Sequence, residues 1–206
     1  VSVKKPTMDT SDEMMKCAAV KMLVATGGPG VVRTLLSSGK KAIGAGAGNP
    51  PVIVDDTADI EKAAKDIVAG ASFDNNLPCI AEKECFVFNS VADELISYMT
   101  ANGAYLVNKE QRDRIMSFCL INKEGKYVIN KKWVGKDARL FLKEIGIDAD
   151  PRLIICEADE MHPFVQTEMM MPVLPIVRVN NIDEAIDMAV KAEHGCRHSA
   201  HIHSKN

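Results

Sequence analysis

At 206 residues with 47% hydrophobic side chains, the chain is long enough for one large domain, or one domain with part of another, around a sizeable core. A net charge of -3 with scattered Lys and Arg argues against a nucleic-acid or anionic-membrane partner. No apolar run approaches the roughly 20 residues needed to span a bilayer. The start, Val1-Ser2-Val3-Lys4-Lys5-Pro6, lacks the apolar core of a secretory signal, and the missing initiator Met suggests a piece of a longer chain.

In chain order, the spacing predicts a helix over Thr10–Ala18, capped by Thr10 or Ser11, with Asp12 and Glu13 in its first turn. Lys21–Ala25 reads as a short strand. The turn Thr26-Gly27-Gly28-Pro29-Gly30 opens a helix to about Ser38, ended by Gly39. Ala42–Ala47 is apolar and glycine-rich, and Val52–Val54 is a β-branched buried strand. Over Asp59–Ala71, Ile60, Ala63, Ala64, Ile67, Val68 and Ala71 share one helical face. A strand follows at Cys85–Asn89 and a helix at Val91–Asn102, then a helix from Asn108 to about Leu120, a turn at Lys123–Lys126, and a helix to Ile145. Arg152–Cys156 and Val173–Val179 read as buried strands around an irregular stretch, Asp159–Met171. Helix Ile182–Glu193 and strand Ser199–His203 complete the chain. Strands alternate with helices, which predicts an α/β fold: three layers, a mostly parallel sheet with helices on both faces.

The six cysteines (Cys17, Cys79, Cys85, Cys119, Cys156, Cys196) form no C-x-x-C and read as reduced thiols of a cytoplasmic protein. His194, His198, His201 and His203 cluster without the accompanying ligands of a metal site, so no metal is expected and they read as surface histidines. Cys79 follows Leu77-Pro78 on a short connection between a helix and a buried strand, where a thiolate could face a cleft. The alternative is one more buried thiol, the common state of free cysteine. The Thr26–Gly30 turn is neither G-x-G-x-x-G nor a P-loop, though backbone N–H groups at such a helix start can bind phosphate. Gly44-Ala45-Gly46-Ala47-Gly48-Asn49-Pro50-Pro51 serves either tight packing or a cleft floor. Glu168, before the Met169-Met170-Met171 run, reads as a solvated carboxylate, and the methionines as core filler.

Three separated segments match one family in order. Val24-Ala25-Thr26-Gly27-Gly28-Pro29-Gly30-Val31-Val32 resembles the turn that opens the last helix of the cofactor domain in aldehyde dehydrogenases. Phe73 and Cys79 resemble the catalytic-cysteine motif, and Glu168 with Pro172 the motif whose Glu holds the nicotinamide ribose. Gly48-Asn49-Pro50-Pro51, Ala71–Cys79 and His162-Pro163-Phe164-Val165 resemble the CoA-acylating branch that serves ethanolamine and 1,2-propanediol utilisation in bacterial microcompartments.

The resemblance implies a catalytic Cys79, cofactor contacts at Thr26, Gly27, Gly28 and Glu168, NAD as cofactor and coenzyme A as co-substrate. It also implies a small aldehyde, acetaldehyde or propionaldehyde, as substrate, a homo-oligomer, and a cytoplasmic site within a microcompartment and its shell. Residues 1–46 become the end of the NAD-binding domain and 47–206 a catalytic domain truncated at its C-terminus. On that reading the chain alone is inactive, because the oxyanion-hole Asn and most of the dinucleotide fold lie before Val1. Two departures stand out. Asn76-Leu77 replaces Gly-Gln of the hydrolytic branch, and Ala45 aligns with its general-base Glu, which favours a thiol acceptor over water. A hydrolytic aldehyde dehydrogenase and a non-catalytic assembly module of the same fold remain the alternatives.

Overall fold

The computed structural model describes residues 2–206. The chain divides into two compact units, one ending at Ala47 and the other Gly48–Asn206.

In the first unit, helix α1 (Met8–Lys16) begins earlier than the sequence suggested. Its cap is Thr7, not Thr10 or Ser11. The Thr7 hydroxyl accepts the Thr10 N–H, and Thr10 Oγ1 accepts the Thr7 N–H at 2.9 Å, so two helix-end donors are satisfied reciprocally. Strand β1 (Met22–Thr26) leads to helix α2 (Pro29–Leu36) and strand β2 (Lys41–Ala45), which pairs parallel to β1. Gly44 lies so close to α2 that an added Cβ would sit 2.7 Å from Val32 Cγ1, which excludes any larger side chain there.

The second unit is built on one wholly parallel sheet. Its strands are β3 (Pro51–Val54), β4 (Glu84–Phe88), β5 (Ala104–Val107), β8 (Leu153–Glu157), β9 (Val173–Val179) and β10 (His201–His203), in the spatial order β10-β3-β4-β9-β8-β5. Burial on both faces explains why the central strands are apolar runs and not alternations. Val52, Val54, Cys85, Val87, Leu153 and Ile155 face helices α3 (Ile60–Ser72) and α4 (Ala92–Ala101). On the other face, Ile154 and Cys156 pack against α5 (Lys109–Cys119) and α6 (Ala138–Glu144), while Ile53, Phe86 and Val177 pack against α7 (Ile182–Ala192). The three layers are those expected.

Two features were not foreseen. Strand β5 is a four-residue edge strand that follows Gly103 directly, too short to signal a period. A small hairpin, β6 (Leu120–Lys123) and β7 (Lys126–Ile129), flanks the foreseen turn. Glu124 and Gly125 both take positive φ (53° and 88°), as a two-residue hairpin turn demands.

Helix α3 carries the segment that ends at Cys79. Its buried residues are Ile60, Ala63, Ala64, Ile67, Val68 and Ala71, the face the spacing defined. Asp59 caps it, Oδ1 accepting the Lys62 N–H at 3.1 Å. Asp59→Ala is expected to cost about 1 kcal/mol, read as a lower urea midpoint with an unchanged slope. An unchanged midpoint would mean that packing alone holds this helix start.

Candidate active site

The loops before β3, β4, β9 and β10 all emerge at the amino edge of the sheet, and these strands are neighbours. Open parallel sheets more often bind ligands at the carboxyl edge. Here the amino edge gathers Gly48, Cys79, Glu168 and His198.

Cys79 lies half-buried on a turn after Pro78, as its flanking residues implied. The approach to it is unusual. After α3, Asp74, Asn75 and Asn76 successively take left-handed backbone conformations (φ 47°, 52° and 63°). L-residues adopt this region at a cost, Asn and Asp least reluctantly. Side-chain hydrogen bonds hold the turn. Asn75 Nδ2 donates to Gly135 O and Asp137 Oδ1, both at 3.0 Å. Asn76 Nδ2 donates to Ala71 O at 2.8 Å and to Glu82 O at 2.9 Å, closing the loop on itself.

Beneath this turn lies Lys83, fully buried. Its Nζ donates to Asn76 O at 2.8 Å, to Pro78 O at 3.0 Å, and to Asn76 Oδ1. Burial holds its pKa down to about 8, against the pull of Glu168, Cys79, Glu84 and Glu82. Next to it, Glu84 is fully buried with neither carboxyl oxygen hydrogen-bonded, and burial raises its pKa well above the carboxylate range.

Gly48 forms the floor. A Cβ there would come within 3.0 Å of His198 Cγ and 3.1 Å of Cys79 O, so only glycine lets the two approach. The Gly48 N–H donates to Glu168 Oε1 at 3.4 Å. Burial raises the Glu168 pKa, offset by that hydrogen bond and by the charges of Lys83 and His198. Glu168 is therefore half-buried within a polar group, not a solvated surface carboxylate. Asn49 fixes the floor, its Nδ2 donating to Val165 O at 2.9 Å and Ala192 O at 3.0 Å. His201 Nε2 lies 2.9 Å from Ile80 O, just beyond Cys79. The close approach at Gly48 fits the tight-packing reading of that segment. The methionine run divides: Met169 and Met171 are core, and Met170 is half-buried.

The other expected contacts lie in the first unit. Thr26 ends β1, Gly27 (φ +153°) donates to Ala45 O at 3.1 Å, and Gly28 caps α2 without a side-chain hydrogen bond. All three are exposed, and a Cβ on Gly28 would meet nothing within 4 Å. Pro29 opens α2 without an N–H, and the Val31 and Val32 N–H groups donate to Gly28 O at 3.0 and 3.3 Å.

Sequence reasoning missed His198 and Lys83. His198 was grouped with surface histidines because the cluster lacks the accompanying ligands of a metal site. Lys83 was not singled out, and no strand periodicity marks it, because β4 is buried on both faces, Glu84 and Phe86 as fully as Cys85. Among the described residues no cluster of three or more His, Cys, Asp and Glu could hold a metal ion, and no helix is long and apolar enough to cross a membrane.

Residues 2–206 match the model of the aldehyde dehydrogenase family. A propanal dehydrogenase (CoA-propanoylating) of Salmonella typhimurium is 46% identical over 100% of this chain and 44% of its own length. A propionaldehyde dehydrogenase from the Clostridium phytofermentans fucose utilisation bacterial microcompartment aligns with TM-score 0.92 and 52% identity over 98% of this chain and 46% of that one. The propionaldehyde dehydrogenase of Rhodopseudomonas palustris, in a structure with bound CoA and an acylated cysteine, aligns with TM-score 0.93 and 50% identity over 100% of this chain and 47% of that one. The chain thus spans under half the length of these relatives. With motifs, fold and match in agreement over nearly every residue, the chain belongs to the aldehyde dehydrogenase family.

Proposed function

We propose that the complete protein oxidises a short aldehyde, acetaldehyde or propionaldehyde, to its acyl-CoA through a thioacyl intermediate on Cys79. The observation that carries this is the placement of a half-exposed cysteine on a braced turn, beside the Gly48 floor with Glu168 and His198. The similarity to CoA-acylating relatives supports the choice of acceptor. The first unit is read as the end of the NAD-binding domain and the second as the catalytic domain, within a homo-oligomer inside a microcompartment.

Cys79 Sγ attacks the aldehyde carbon and forms a C–S bond, leaving an oxyanion for which the Cys79 backbone N–H would be one donor. When bound, NAD supplies the acceptor for the hydride that leaves this carbon. The C=O bond re-forms, and Cys79 carries a thioester. Glu168 has one oxygen on the Gly48 N–H, and its Oε2 accepts from no group among the described residues, which suits a ribose hydroxyl. Thr26, Gly27 and Gly28 would hold the nicotinamide half from the start of α2. The CoA thiol then attacks the thioester carbon, its proton passes to a base, and Cys79 leaves as thiolate. We assign that proton to His198, whose ring lies against Gly48.

The test is product analysis of the complete protein with propionaldehyde and NAD, with and without CoA. Acyl-CoA by mass spectrometry, with free acid only a slow leak, is expected. Free acid released at one rate whether or not CoA is present would overturn the acylating assignment.

A further inference from the structure

We propose that Lys83 is a positioning residue for Cys79: its buried ammonium clamps the Asn76–Pro78 turn from below and sets a positive charge beside the nucleophile. The inference rests on the reading of Cys79 as nucleophile and extends it to a residue that touches none of the reacting atoms.

The geometry carries the argument. Lys83 is fully buried, yet three oxygens of one turn, Asn76 O, Asn76 Oδ1 and Pro78 O, accept its ammonium protons. A lysine ammonium has three donors, and all three are used within the three residues preceding Cys79. Burying an ammonium is costly unless it is paired and hydrogen-bonded, and a methionine or leucine would fill the same space at less cost. The turn it holds is left-handed at three successive non-glycine residues, a conformation that needs bracing from outside. Stability alone gives no reason to brace a costly turn with a costly charge. Orientation of the peptide after Pro78 does, because that peptide carries the Cys79 N–H.

The electrostatic surroundings agree. Charged and titratable groups around the pair come from every neighbouring loop: Glu82, Glu84 and Lys83 itself from the approach to β4, Glu168 from the loop before β9, His198 and His201 from the last segment, and Cys196 near Glu168. Burial opposes the charge on Lys83 while Glu168 and Cys79 favour it.

The test uses the complete protein and measures the rate of Cys79 alkylation by iodoacetamide against pH, by mass mapping, on the folded fraction from gel filtration. Lys83→Gln removes the charge and keeps donors; Lys83→Arg keeps the charge; Lys83→Met replaces the Gln variant if that does not fold. The neutral variant is expected to slow Cys79 alkylation about tenfold at pH 7, with turnover falling in parallel. Lys83→Arg should retain most of the wild-type profile. A folded neutral variant with the wild-type profile would overturn the proposal, as would an Arg variant shifted as far as the neutral one. Cys79→Ser run alongside separates the two readings. If it keeps turnover, the nucleophile assignment fails; if it is dead while the neutral Lys83 variant is normal, only the positioning role fails.

Discussion

Cys79→Ser in the complete protein is expected to lower aldehyde oxidation by at least about 10³-fold, with the fold and the unfolding midpoint retained. Removing a nucleophile forfeits the whole covalent route, and the loss is large even when the binding surfaces remain. Serine is nearly isosteric, but its hydroxyl is far less ionised than a thiol near neutral pH, and the cationic neighbour Lys83 cannot close that gap. The other thiols offer no replacement. Cys85, Cys119 and Cys156 are buried, and burial pushes Cys119 and Cys156 up to about 12. Cys17 and Cys196 are exposed, and burial and the nearby Glu193 carboxylate raise the Cys196 pKa. The measurement is steady-state NADH formation with circular dichroism as control. Turnover within a few-fold of wild type would sink the assignment.

Ala45→Glu is expected to raise the free-acid leak by up to about 10²-fold, because a general base typically contributes 10²–10⁴-fold. The parent protein has Ala where hydrolytic relatives are aligned to carry the Glu that activates water, so its thioester should wait for a thiol. The structure makes the substitution practical. Ala45 closes regular strand β2, paired with Thr26, so its backbone is defined. Gly44 faces α2 at close range; by strand alternation Ala45 faces the opposite way. Free acid and acyl-CoA measured together, in both proteins, decide the matter. An unchanged leak would reject the alignment of Ala45 while leaving the CoA dependence of the parent protein to its own test.

Much of the architecture was legible in the residues because parallel sheets and amphipathic helices write themselves in burial patterns. The α3 face and the β3 and β9 runs needed no tertiary information. Strand β5 was hidden because four residues show no period, and α1 started early because a Thr-x-x-Thr reciprocal cap is a weak signal beside Asp and Glu. Within the candidate site, Cys79, Glu168 and the Gly48 floor were readable from turn chemistry and resemblance. Lys83 and His198 were not. One lies between two glutamates at the entrance of a strand buried on both faces, where alternation carries no signal; the other reaches the floor by a return of the chain more than a hundred residues after Gly48.

The placement of all the candidate chemistry at the amino edge of the sheet has a consequence for engineering. The opposite edge, where β4 runs out at Phe88 and β9 at Val179, ends in turns with exposed Asn89, Ser90, Asn180 and Asn181. Strands of five to seven residues set these turns about 15–20 Å from the starts of the same strands. An affinity handle, fluorescent reporter or surface-attachment peptide grafted there would be separated from Cys79 by the full thickness of a rigid, hydrogen-bonded slab. The same graft at Leu77–Ile80 or Gly48–Asn49 would fall among the groups that bear on the sulfur.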